Sequence, residues 1–180
     1  MPFNRRRVLG LAPAALALAA VSPTPRRVLA DHLQKPRIKI GQIGVGHGHA
    51  SKLSVYRESS EYEVVGIVEP NEQWRHRSEN HPAFKGLNWL TREQLLNIPG
   101  LQAVLVETSV CDLLDNAKVC VEAGKHVHLD KPAGESLSQL RRIFETARKS
   151  NLLVQMGYMY RYNPAIKLLH QFLHRGWLGE

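Results

Sequence analysis

Three glycines alternate directly behind an apolar run, where Ile38-Lys39-Ile40-Gly41-Gln42-Ile43 leads into Gly44-Val45-Gly46-His47-Gly48-His49. Glycine at the end of a strand permits a tight turn, and a second glycine lets backbone N–H groups approach an anion at the start of the next helix. Gly44 and Gly46 occupy those places, whereas the third position of the G-x-G-x-x-G spacing is His49. A carboxylate, Glu69, follows the run Val64-Val65-Gly66-Ile67-Val68, 25 positions after Gly44. An acid there can accept hydrogen bonds from both hydroxyls of a ribose. Strand, glycine turn, helix, strand and acid in that order predict a dinucleotide site at Gly44, Val45, Gly46, His47, Gly48, His49 and Glu69.

The acid also predicts which dinucleotide. A carboxylate binds a ribose diol through charge-assisted hydrogen bonds but faces the extra phosphate of NADP with like charge. Asn71, two residues on, supplies no cation to offset that repulsion. NAD is therefore expected ahead of NADP. A glycine-rich loop followed by an acid also fits S-adenosylmethionine, so a methyltransferase is one alternative, and a dinucleotide-binding module without catalysis is another.

Histidine pairs invite a metal reading. His47 with His49, and His126 with His128, have ligand-like spacing, yet no cysteine or carboxylate completes either set in the sequence. The first pair is expected to line the loop and the second to pack on a strand, with no metal. Cys111 and Cys120 are too few for a disulfide framework, and Cys120 shares a helical face with Leu113, Ala117 and Val121.

These residues need a scaffold that brings strand ends together. Apolar runs at 38–43, 64–68, 103–106, 126–129 and 152–155 alternate with helical patterns at 49–57, 71–77, 91–97, 112–123 and 136–149. Short strands separated by helices predict an α/β fold, a doubly wound and mostly parallel Rossmann sheet with flanking helices. Thr91-x-x-Gln94 forms a capping box, Gly124 closes the helix before it, and Asn163-Pro164 opens a further helix running to Gly176.

Charge is concentrated at the N-terminus. Of 24 basic residues, seven lie in residues 1–37 together with one of the 16 acidic ones, which leaves +2 of the formal +8 for the remainder. No basic face remains for nucleic acid. Arg5-Arg6-Arg7-Val8-Leu9 precedes a mild Ala- and Leu-rich run too short to span a bilayer. That pattern predicts a signal of the twin-arginine type over residues 1–30, hence a periplasmic or extracellular destination; a cytoplasmic protein with a basic tail is the alternative. Residues 31–36 read as a linker, 37–160 as the dinucleotide-binding domain, and 161–180 as the start of a connection onward.

At Gly124-Lys125-His126-Val127-His128-Leu129-Asp130-Lys131-Pro132 the chain resembles the Gfo/Idh/MocA family of NAD(P)-dependent oxidoreductases, with Asp130 where that family carries glutamate. The resemblance extends to Gly157-Tyr158-Met159-Tyr160-Arg161-Tyr162-Asn163-Pro164. It implies hydride transfer between a nicotinamide and a sugar, inositol or related polyol. Lys131 would lie near both the nicotinamide and the reacting carbon, Thr108 and Asp130 would border the cofactor, and Tyr158, Arg161 and Asn163 would border the substrate. One departure is Leu113 at a position where the family often has histidine. A second is the lack of the family's C-terminal α/β domain, so the chain reads as the front part of a longer enzyme, inactive alone, with homo-oligomers possible in the full-length form.

Overall fold

A computed structural model describes residues 35–179. The expected signal segment, 1–30, lies outside them. Five parallel strands form one sheet: β1 (Ile38–Ile43), β2 (Tyr62–Val68), β3 (Leu101–Val106), β4 (His126–Leu129) and β5 (Val154–Met156), in the order β2-β1-β3-β4-β5. Outside β2, Trp89 makes a single parallel bridge to Ile67. With Trp89 as a vestigial third strand, the order is the one dinucleotide-binding sheets use.

Both faces of the sheet are covered. Along β3, Val104 and Val106 pack in one buried cluster with α4 (Val110–Glu122) and α5 (Leu137–Lys149), while Leu105 packs in a second with Leu53 and Phe84. Successive side chains of a strand point to opposite faces, so a run of buried Val and Leu needs helices on both sides. On α4 the buried residues are Leu113, Leu114, Ala117, Cys120 and Val121, one helical stripe. Each fully buried aliphatic side chain contributes about 1.5–3 kcal/mol. Burial pushes the Cys120 thiol up to about 12, so it behaves as a small apolar group.

The expected caps form. Thr91 and Gln94 make a reciprocal capping box on α3 (Arg92–Leu96), and Asn71 accepts from Trp74 N–H to start α2 (Glu72–Ser78). Asn163 caps α6 (Pro164–His174), with proline in its first turn. Two expectations shift. The helix expected from His49 begins as a 3₁₀ turn, Ala50–Lys52, before α1 (Leu53–Glu58), because His49 supplies no side-chain cap. The last strand slides from 152–155 to Val154–Met156, the register that pairs Leu129 with Met156. Among the described residues, no helix is long and apolar enough to cross a membrane.

Candidate functional site at the strand ends

The register places Val68, Ile43, Val106, Leu129 and Met156 in one row across the sheet. Their successors, Glu69, Gly44, Glu107, Asp130 and Gly157, therefore line its C-terminal edge, where ligands of such sheets bind. Strand order reverses between β1 and β3, at Gly44 and Glu107.

Glycine is required at Gly44 for two reasons. Its φ is +92°, and a Cβ there would meet the Glu107 carbonyl at 2.6 Å. Beyond it the loop is pinned, since His47 N–H donates to Glu107 O at 3.0 Å and Val45 N–H donates to Glu69 Oε2 at 3.0 Å. The other Glu69 oxygen accepts from Asn71 N–H at 2.9 Å. Among the described residues, the N–H groups of Gly46 and Gly48 bond to no other group. Both glycines are exposed, and a Cβ at Gly48 would meet nothing within 4 Å. At Gly46 the same atom would meet Trp74 Cζ3 at 1.7 Å. Two free donors, one open approach and an adjacent carboxylate suit the pyrophosphate and adenosine ribose of a dinucleotide.

Beside the loop lies a cleft of about 750 Å³ whose walls include Glu69, Trp74, Arg75, Arg92 and Thr108. That size suits the adenosine half of a dinucleotide. Thr108 is nearly buried, and its hydroxyl donates to Ser109 O at 3.2 Å. The two arginines correct the sequence reading, which found no cation to offset the charge of Glu69. Arg75 comes from α2, with its guanidinium 5.6 Å from the Trp89 ring, and Arg92 comes from α3. Arg75 stands six residues beyond Glu69, whereas Arg92 reaches the cleft only through the fold.

On the other side of the loop, a buried ionic cluster borders a second cavity of about 430 Å³. Lys52 Nζ lies 2.7 Å from Asp130 Oδ2, 2.7 Å from His128 Nε2 and 2.5 Å from Glu107 Oε1. Glu107 and Asp130 are fully buried. Burial drives the Glu107 carboxyl up to about 7, with Lys52 holding it down and Asp130 pushing it further up. Burial also raises Asp130, but hydrogen bonds from Lys52, from Lys131 N–H at 2.6 Å and from His49 outweigh it and hold this carboxyl well below the usual range. Burial, then the Lys52 charge, lowers His128 to about 4. Neither Glu107 oxygen makes a geometrically formed hydrogen bond: Oε1 meets Lys52 as an ion pair, and Oε2 lies 3.5 Å from His47 Nδ1.

Three of the four histidines, His47, His49 and His128, thus meet carboxylates that spacing in the sequence did not reveal. His49 Nδ1 is 3.2 Å from Asp130 Oδ1, and His47 Nδ1 is 3.6 Å from Asp130 Oδ2. His47, His49 and Asp130 could together hold an ion, as could Glu107, His128 and Asp130. In the second group the Lys52 ammonium already contacts all three residues. His126 instead accepts from Leu153 N–H at 3.0 Å and ties β4 to the segment before β5.

The remaining expected residues fall on the same edge. Lys131 is exposed, and its carbonyl meets His47 Nε2 at 3.0 Å. Tyr158 lines the 430 Å³ cavity and, with Arg161 and Tyr162, a smaller adjoining one. Asn163 spends its side-chain oxygen on the N–H groups of Ala165 and Ile166. Lys52 and Glu107 were not foreseen. The available signal was that Glu107 ends an apolar strand just as Glu69 and Asp130 do, while Lys52 stands one turn beyond His49.

An open parallel sheet with a glycine loop and strand-end acids at its switch point defines a dinucleotide-binding domain. The family model described as the oxidoreductase family with NAD-binding Rossmann fold, GFO_IDH_MocA, matches residues 38–158, and the chain belongs to this family. It is 25% identical over 146 residues to myo-inositol 2-dehydrogenase of Thermotoga maritima, covering 79% of this chain and 42% of that protein. It is 26% identical over 143 residues to scyllo-inositol 2-dehydrogenase (NAD(+)) of Bacillus subtilis, covering 78% and 40%. A crystal structure of a 3-ketoreductase from Actinomadura kijaniata, in complex with TDP-benzene and NADP, superposes with a TM-score of 0.69 at 25% identity, covering 80% of this chain and 45% of that one. The chain spans less than half the length of each of these relatives.

Proposed function

We propose that this domain binds a nicotinamide dinucleotide and serves hydride transfer to or from a hydroxyl-bearing carbon of a sugar, inositol or related polyol. The observation that carries the reading is the row Glu69, Gly44, Glu107, Asp130 at one sheet edge, with the free N–H groups of Gly46 and Gly48 beside it. These N–H groups would receive the pyrophosphate and Glu69 the adenosine ribose, while Thr108 would line the 750 Å³ cleft. The bound nicotinamide supplies the hydride donor or acceptor. Lys131 would hydrogen-bond the substrate oxygen as charge develops on it, and Tyr158 and Arg161 would border the polyol. The inositol dehydrogenases among the relatives support the polyol class.

Calorimetric titration of the chain with NAD+, NADP+ and S-adenosylmethionine tests the reading. Binding of either dinucleotide, with none of S-adenosylmethionine, is expected. Binding of S-adenosylmethionine alone would overturn it in favour of methyl transfer.

A further inference from the structure

We infer that Lys52 is a positioning residue, whose ammonium fixes Asp130 and through it the backbone corner that carries Lys131. The inference rests on the proposed function only for its importance to turnover; the positioning itself is a matter of contacts. Lys52 belongs to the 3₁₀ turn just behind the glycine loop, and Asp130 ends β4, 78 residues later.

An ammonium has three protons and no acceptor. Here Asp130 Oδ2 and His128 Nε2 each take a hydrogen bond from Nζ at 2.7 Å, and Glu107 Oε1 lies 2.5 Å away as an ion pair, so the ammonium faces three protein partners. Lys52 lines the 430 Å³ cavity, but its ammonium is turned to these three side chains, and it acts through Asp130.

Asp130 is held from every side. Its Oδ2 takes Lys52, while its Oδ1 takes the Lys131 N–H at 2.6 Å and lies 3.2 Å from His49 Nδ1. Gly157 leaves the space it occupies, since a Cβ there would meet Asp130 Oδ1 at 2.8 Å. The Lys131 N–H thus has a charge-assisted acceptor only while Asp130 is ionised and oriented. Lys52 is the one fully charged group beside it, and His47 Nε2 at the Lys131 carbonyl ties the same corner to the glycine loop.

A purely structural role would be to neutralise two buried carboxylates. The two roles separate in the pair Lys52→Met and Lys52→Met/Glu107→Gln. The single variant leaves two buried carboxyls with no ammonium between them and is expected to melt early. The double variant removes one charge of each sign. If Lys52 positions the corner, the double variant melts near the wild type while the Lys131 amide exchanges roughly 10- to 100-fold faster, the factor a charge-assisted hydrogen bond is worth. A folded double variant with unchanged Lys131 exchange overturns the inference.

The unaltered chain gives a check that needs no variant. An ammonium held by two hydrogen bonds and an ion pair exchanges slowly enough for its Nζ resonance to be seen by ¹⁵N NMR; a freely exchanging Lys52 overturns the inference. Failure of the chain to bind any dinucleotide would count against the proposed function alone, because neither exchange measurement needs the cofactor.

Discussion

The Trp74 indole lies so close to Gly46 that a Cβ on the glycine would overlap Trp74 Cζ3 at 1.7 Å. The loop glycines therefore answer to different constraints. At Gly44 the obstacle is the Glu107 backbone and φ is positive, so Gly44→Ala should cost more than about 3 kcal/mol and lose the fold at 37 °C. Gly46→Ala meets only a side chain that can swing away, and about 1–3 kcal/mol is expected, with a shift in Trp74 fluorescence. Gly48→Ala meets nothing and should leave the melting temperature unchanged while weakening dinucleotide binding. Melting curves and calorimetry on the three variants check the order, and a stable Gly44→Ala protein would contradict it.

Cofactor choice should favour NAD over NADP by about tenfold, the scale of one charge-assisted hydrogen bond. Glu69 repels the extra phosphate, but Arg75 and Arg92 in the same cleft soften that repulsion, so NADP is expected to bind weakly rather than not at all. Glu69→Ala should equalise the two affinities. Arg75→Ala with Arg92→Ala should widen the gap. Titrations in which NADP binds tighter to the unaltered chain would refute the assignment of Glu69 to the ribose.

Stability should vary little with pH between about 4.5 and 6.5, because two buried groups oppose each other. Glu107 titrates near 7 when folded and at 4.5 unfolded, so the folded state holds its proton longer and stability falls as pH rises through that window. His128 titrates near 4 when folded and at 6.5 unfolded, so its contribution rises with pH over nearly the same range. Each slope integrates to at most about 3 kcal/mol. Glu107→Gln removes one of them, and the variant should gain stability from pH 4 to 6.5. Denaturant titrations across this range that show the same flat profile in the variant would rule out the opposition.

The alternation of apolar runs and helical patterns made the fold legible, and the capping box at Thr91 and the Asn163-Pro164 helix start fell where their chemistry places them. Gly44 and Glu69 were legible because a turn and a strand-end acid are local features. The ionic cluster was not. Lys52, Glu107 and Asp130 meet only after β3 and β4 pair, 78 residues of chain separating the outer two. Trp89 was invisible for a similar reason, since one bridge to Ile67 leaves no run of alternating residues.

Residues 1–30 are expected to direct twin-arginine export, since Arg5-Arg6 precedes a weakly apolar run and a dinucleotide protein must fold around its cofactor before crossing. Replacing both arginines by lysine should retain a fused reporter in the cytoplasm. Export unchanged by that replacement would remove the basis for a periplasmic destination.

The 180-residue chain is expected to bind dinucleotide without turning over a polyol. The cofactor-facing groups, Gly46, Gly48, Glu69 and Thr108, all lie within the described domain, so binding needs nothing more. Hydride transfer requires the reacting carbon to be held at near-attack distance from the nicotinamide, and misplacement by 1 Å costs about a hundredfold. Lys131 is exposed, and Tyr158 and Arg161 present open surface, with Tyr158 51% accessible. No described element closes over them from the opposite side to hold a polyol. Tyr160, Tyr162, Leu173 and Trp177 are all exposed, and self-association of the chain through such apolar side chains is expected. NADH formation should therefore be absent for this chain across a panel of sugars and inositols. In a form extended to the length of the inositol dehydrogenases, turnover should appear, and Lys131→Ala should lower kcat by at least about a hundredfold with dinucleotide affinity kept. Robust turnover by the 180-residue chain, or an extended Lys131→Ala enzyme as fast as its parent, would show that the machinery lies elsewhere.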